Sequence, residues 1–183
     1  VKVRILPGLA ELAEGKVLVS ELKEVRFTDL LDRVEIEPNQ LLLDKNIKNK
    51  VVLITGAGGS IGSEISKQVA VNSPSKIILL DINEFSLYSI EQEIQNSGKD
   101  CYAILADVKD RSRMNMIISS FKVDTIYHAA AYKHVSLVEK NPFEAVLNNI
   151  IGTQVSLEVA IENKVSTFVL ISTDKAVRPT NIM

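Results

Sequence analysis

From Lys50 onward, apolar runs of five or six residues alternate with longer segments whose apolar positions recur at helical spacing. The pattern predicts strands over Val51–Thr55, Lys76–Leu80, Cys101–Ala106, Thr125–His128 and Thr167–Ile171. Between them it predicts helices over Ile61–Val71, Glu84–Asn96, Arg111–Phe121 and Pro142–Asn163, the last opening on a proline suited to a first turn. Strands that alternate with helices in this way form a parallel sheet with crossover helices on both faces, an α/β architecture. Residues 1–48 lack the regularity: short β-like runs at Val1–Leu6 and Lys16–Val19 lead into a charged region through Asp44. They read as a lead-in or linker from an upstream region, and residues 49–183 as the domain.

Composition narrows the class. With 183 residues, 46% hydrophobic and 24% charged, the chain can bury one core. Its formal net charge of -2 comes from interleaved Lys and Glu without a basic stripe, which argues against nucleic acid and for a small metabolite as partner. Cys101 is the only cysteine, so the sequence offers no disulfide framework and no cysteine zinc cluster, and no metal site is expected. That usage points to the reducing cytoplasm, with the thiol as core filler. No apolar stretch approaches the roughly 20 residues a membrane span needs. The first residue is Val1 rather than Met, so upstream sequence, membrane attachment included, is expected.

The candidate chemistry begins where Val51–Thr55 runs into Gly56-Ala57-Gly58-Gly59-Ser60-Ile61-Gly62 and then into a helix. Gly56 permits a tight turn, Gly59 lets backbone approach a pyrophosphate, Gly62 lets helix and strand pack, and free helix N–H groups face the anion. The spacing differs from GxGxxG and lacks the Gly-Lys-Ser/Thr of a P-loop. Strand, turn and helix together indicate a Rossmann-type sheet whose cofactor contacts come from Thr55, Gly56, Gly58, Gly59, Ser60, Ile61 and Gly62. Asp81 ends the second strand, where a carboxylate accepts from an adenosine ribose; no Arg or Lys follows closely, which favours NAD and leaves NADP open. The competing role for Asp81 is a helix N-cap. Asp107 and Val108 follow the third strand where adenine would sit, and Ala129, Ala130 and Ala131 let backbone approach the cofactor. His128 reads as a packed, hydrogen-bonded strand-end residue rather than a catalyst.

The strings TGAGGSIGSE, LLDINEFSLYSIE, ADVKDRSR, YHAAAYKHVSLVEKNPFEAVLNNIIGT and FVLISTDKAVRPTNIM closely resemble the CapD-like polysaccharide biosynthesis proteins of the extended short-chain dehydrogenase/reductase superfamily. The resemblance covers roughly residues 27–183. It implies a nucleotide-sugar 4,6-dehydratase acting on UDP-N-acetylglucosamine for surface glycans, with NAD recycled in each turnover. It also implies upstream membrane helices holding the whole protein on the cytoplasmic face of the inner membrane, and a C-terminal substrate lobe beyond residue 183, without which the present residues would not turn over. This stretch itself is expected to touch no membrane, and a homo-oligomer is left open. Leu30-Leu31-Asp32-Arg33 departs from relatives that often carry Gly in the third place, outside the chemistry.

The implied reaction moves hydride from sugar C4 to NAD, removes the C5 proton, expels the C6 hydroxyl as water and returns hydride to C6. By resemblance Asp174 is the acid at the C6 hydroxyl and Lys175 the base at C5, with Lys175 also against the cofactor. A neutral lysine base needs its pKa lowered by about three units, roughly 4 kcal/mol; Asp174 needs the opposite shift. Most superfamily members carry a catalytic Tyr where this chain has Met183, which cannot take the C4 hydroxyl proton, so Thr173 is expected to hydrogen-bond that hydroxyl, with Asp174 or solvent taking the proton onward. Tyr132, Lys133 and His134 are expected to border the sugar, with Arg178 and Asn181 shaping the pocket floor; Asn149 matches the superfamily's structural helix Asn. Two other readings stay open: a UDP-sugar 4-epimerase, which removes no C5 proton, and a non-catalytic NAD-binding module.

Overall fold

The computed structural model describes residues 4–5, 23–24, 38–173, 176–179 and 182. Contacts divide the chain into two units, residues 1–39 and residues 40–183. In the first, β1 (Arg4–Ile5) pairs antiparallel with β2 (Lys23–Glu24), Arg4 opposite Glu24. The expected run at Lys16–Val19 lies outside the described residues.

The second unit begins with α1 (Gln40–Asn46), earlier than the boundary at 49 expected from the sequence. Five strands follow: β3 (Val51–Thr55), β4 (Lys76–Asp81), β5 (Tyr102–Leu105), β6 (Thr125–His128) and β7 (Thr167–Leu170). They form one parallel sheet in the order β5-β4-β3-β6-β7, the doubly wound Rossmann arrangement. Its central strands are apolar almost throughout because helices cover both faces. Val52, Ile54, Ile77 and Leu79 pack with α2 (Ser60–Val71) and α3 (Glu84–Asn96), while Leu53, Ile78, Leu80 and Ile126 pack the other way with α4 (Arg111–Phe121) and α7 (Gly152–Glu162). Each fully buried Leu or Ile contributes about 1.5–3 kcal/mol.

Two short helices, α5 (Val135–Lys140) and α6 (Pro142–Ala145), precede α7. The single helix expected over 142–163 is interrupted: Val146–Ile151 is a π-helical segment between α6 and α7. A π turn inserts one residue into the helical repeat, which rotates the flanking side chains relative to one another. Cys101 packs partly buried against the first core cluster, and burial raises its thiol pKa to about 11, as core filler requires. Among the described residues, no helix is long and apolar enough to cross a membrane.

Candidate active site

The site lies along the carboxyl edge of the sheet, where ligands of open α/β sheets bind. Thr55 ends β3, and the chain leaves the sheet through Gly56 at φ 67°. This backbone needs glycine, and the space needs it too: a Cβ on Gly56 would stand 2.6 Å from the Ala129 carbonyl oxygen. A Cβ on Gly62 would lie 1.9 Å from the Gly56 carbonyl oxygen, so Gly62 is what seats α2 against the turn. Gly59 has only that same oxygen, at 3.2 Å, near its absent Cβ and lines the open cleft. No side chain caps α2 at Gly59, which lines the cleft, an arrangement that leaves helix N–H groups available to an anion.

Asp81 ends β4 at 9% exposure, and each carboxylate oxygen holds one backbone amide. Oδ2 accepts from Gly58 N at 2.8 Å and Oδ1 from Asn83 N at 2.9 Å. The N-cap of α3 is Asn83, whose side chain accepts from Ser86 N at 2.9 Å, so Asp81 is not the cap. Asp81 lines the cleft, and each of its oxygens can accept a further hydrogen bond. Asp107 Oδ1 accepts from Lys109 N at 2.9 Å, and Lys109 Nζ sits 3.0 Å from Oδ2.

A cleft of about 210 Å³ is lined by Gly56, Gly58, Gly59, Asp81, Asp107, Val108 and Ala129–Ala131, with no Lys or Arg among its described lining residues. Glycine amides, a helix N-terminus and a carboxylate bordered by small residues fit a dinucleotide: anion-binding N–H groups at one end, an acceptor for hydroxyls at the other. Of the other residues named from sequence, Thr55 is fully buried with its hydroxyl on His128, and Ile61 is exposed. Ser60 borders a second, more apolar cleft with Tyr132, Lys133, His134, Leu137 and Val138. The two clefts share Gly59, Ala131 and Tyr132. Lys133 Nζ donates to Ser60 Oγ, which carries its charge back to the glycine turn.

Thr173 is exposed, and its carbonyl accepts from Ala176 N at 3.2 Å; Arg178 is exposed with φ 51°. Asp174, Lys175, Asn181 and Met183 lie outside the described residues. Among those described, no cluster of His, Cys, Asp and Glu could hold a metal ion.

The sequence reading passed over Asn148. It lines the first cleft at 9% exposure and donates from Nδ2 to the Ala130 carbonyl at 3.1 Å. Its neighbour Asn149 holds Tyr132 at both backbone atoms, accepting from N at 2.8 Å and donating to O at 3.0 Å. The Asn-Asn pair inside an apolar helix was the available signal. Gly58 also has an unforeseen partner, since a Cβ there would stand 2.5 Å from Ser86 Cβ.

Residues 52–183 match the polysaccharide biosynthesis protein family. The capsular polysaccharide biosynthesis protein CapD of Staphylococcus aureus is 46% identical over 181 residues, covering 97% of this chain and 30% of that protein. A UDP-N-acetylglucosamine 4,6-dehydratase (inverting) of Campylobacter jejuni is 38% identical over 134 residues, covering 73% of this chain and 39% of that enzyme. Among solved structures, Pen from Bacillus thuringiensis superimposes with a TM-score of 0.70 at 34% identity, over 74% of this chain and 42% of that one. The UDP-glucose 4-epimerase of Stenotrophomonas maltophila, with bound NAD and formylated UDP-arabinopyranose, superimposes with a TM-score of 0.65 at 27% identity, over 69% and 38%. The chain thus spans well under half the length of these relatives.

Proposed function

The chain belongs to the polysaccharide biosynthesis protein family, and from that premise we propose that the whole protein is an NAD-dependent UDP-N-acetylglucosamine 4,6-dehydratase making a 4-keto-6-deoxy sugar nucleotide for surface polysaccharide. The observation that carries the reading is the cleft itself, which combines an uncapped helix N-terminus, a glycine turn and Asp81 on one sheet edge. NAD supplies a hydride acceptor and donor when bound. The amides of the glycine turn and the N-terminus of α2 hold its pyrophosphate, with the Lys133 ammonium nearby as counter-charge. Asp81 accepts from the ribose hydroxyls, and its negative charge, with no Lys or Arg among the described lining residues, disfavours a 2'-phosphate, hence NAD over NADP. Asp107 and Val108 border the adenine.

The sugar nucleotide occupies the adjoining cleft beside Tyr132, Lys133 and His134; Arg178 and Asn181 are assigned to the pocket floor by the family resemblance alone. Thr173 holds the C4 hydroxyl, whose proton passes on to Asp174 or solvent as the C4 hydride leaves. Asp174 gives a proton to the departing C6 hydroxyl, and Lys175 takes the proton from C5, made acidic by the C4 ketone, and gives it back to C5 as hydride reaches C6. Met183, in the usual tyrosine position, moves no proton. The test is mass spectrometry of UDP-N-acetylglucosamine incubated with the full-length protein and NAD. Loss of one water is expected, and Lys175→Met abolishes it. An unchanged mass with inverted C4 would replace the reading by the epimerase, and full water loss in Lys175→Met would remove Lys175 from its role.

A further inference from the structure

The polar line from buried Thr55 and His128 to half-buried Thr153 is left unused by the chemistry above. His128 is 1% exposed, stacked on Phe168 at 5.7 Å, with Nδ1 at 2.8 Å from Thr55 Oγ1 and Nε2 at 3.1 Å from Thr153 Oγ1. Burial lowers its pKa to about 4, so the ring is neutral and one nitrogen donates while the other accepts. A sheet core built only for stability has no need of such a line, since apolar side chains of similar volume fill the space without desolvating polar groups. Its position gives it a use. Thr55 precedes the glycine turn, His128 precedes Ala129, and Thr153 sits on α7 just after the π segment that presents Asn148 and Asn149.

One helix therefore grips the loop 129–132 at both ends. Thr153 holds its start through His128, and Asn148 and Asn149 hold Ala130 and Tyr132. That loop is the wall shared by the two clefts, and it abuts the turn, because the Ala129 carbonyl is the atom a Cβ on Gly56 would strike. Ala129 N in turn donates to the Thr55 carbonyl at 3.0 Å.

We infer that His128 is a positioning residue: pinned between Thr55 and Thr153, it fixes the loop 129–132 against the glycine turn and so preforms the cofactor cleft. The effect on cofactor rests on the NAD reading above; the effect on the loop does not. In the full-length protein, Thr153→Val keeps the volume and removes one hydrogen bond to the ring, and Thr153→Ser keeps the hydroxyl. Calorimetric titration with NAD is expected to show Kd raised about tenfold in Thr153→Val and near the wild-type value in Thr153→Ser. Amide exchange in the apo protein is expected to speed up at residues 129–132 in Thr153→Val only, with exchange in the β3 and β4 core unchanged. His128→Phe, which keeps the stacking, is expected to show the larger loss. Unchanged exchange at 129–132 in Thr153→Val overturns the inference, as does a Thr153→Ser protein as impaired as Thr153→Val. If wild-type protein binds no NAD, the cofactor reading falls while amide exchange still decides the pin.

Discussion

Replacing Asp81 by alanine separates the carboxylate's structural work from its work on a ligand. Its two oxygens hold Gly58 N at 2.8 Å and Asn83 N at 2.9 Å, at a site 9% exposed. Hydrogen bonds to a charged acceptor contribute about 1.5–3 kcal/mol each. Alanine leaves both amides without an acceptor, but the open side of the cleft lets water reach them, so the expected loss is about 2–3 kcal/mol rather than the full sum. Asp81→Asn keeps one acceptor oxygen and turns an NH₂ toward the other amide, so roughly half that loss is expected. Equilibrium urea unfolding reads the stability, and NAD titration under native conditions reads the ligand contact. If Asp81→Ala unfolds at the wild-type urea midpoint with unchanged slope, the carboxylate does not hold the glycine turn and the account of the turn is wrong.

Gly62→Ala forces a Cβ to 1.9 Å from a backbone carbonyl and is expected to cost about 3 kcal/mol or more, whereas Gly98→Ala, at φ 76° in open space, is expected to cost only about 1–2 kcal/mol; thermal melts of the two variants check the contrast. His128 has its pKa lowered from 6.5 to about 4 by burial, so the unfolded chain binds a proton that the folded one refuses between those values. Stability is therefore expected to fall as pH drops from about 6.5 to about 4, by up to ~3 kcal/mol. Urea midpoints across that range in wild type and His128→Phe read the effect, which disappears in the variant; an equal slope in both would assign it to other groups.

The parallel sheet was legible because Val51–Thr55 and Thr125–His128 are short apolar runs bounded by polar turns, and both strands occur with those limits. Helix α1 was not, because Leu41 and Leu42 are exposed. What fixes that segment is long-range: Asn46 accepts from Thr125 and Thr167 hydroxyls, and Ile47 is buried in the core. The π segment escaped for a different reason. Apolar spacing around Val146–Ile151 reads as continuous helix, and nothing local marks the extra residue. In the site, Gly56, Gly59 and Asp81 were identifiable because each answers a local demand of the strand-turn-helix unit. Gly58 was named with them, but its packing on Ser86 of α3, like the bond of Asn148 to the loop after β6, is a contact that only the folded sheet creates.

The most direct test of the central claim follows one atom. UDP-N-acetylglucosamine carrying deuterium at C4 of the sugar, turned over by the full-length protein with NAD, is expected to yield a product lighter by one water with the deuterium at C6. Deuterium retained at C4 in a product of unchanged mass contradicts the dehydratase account.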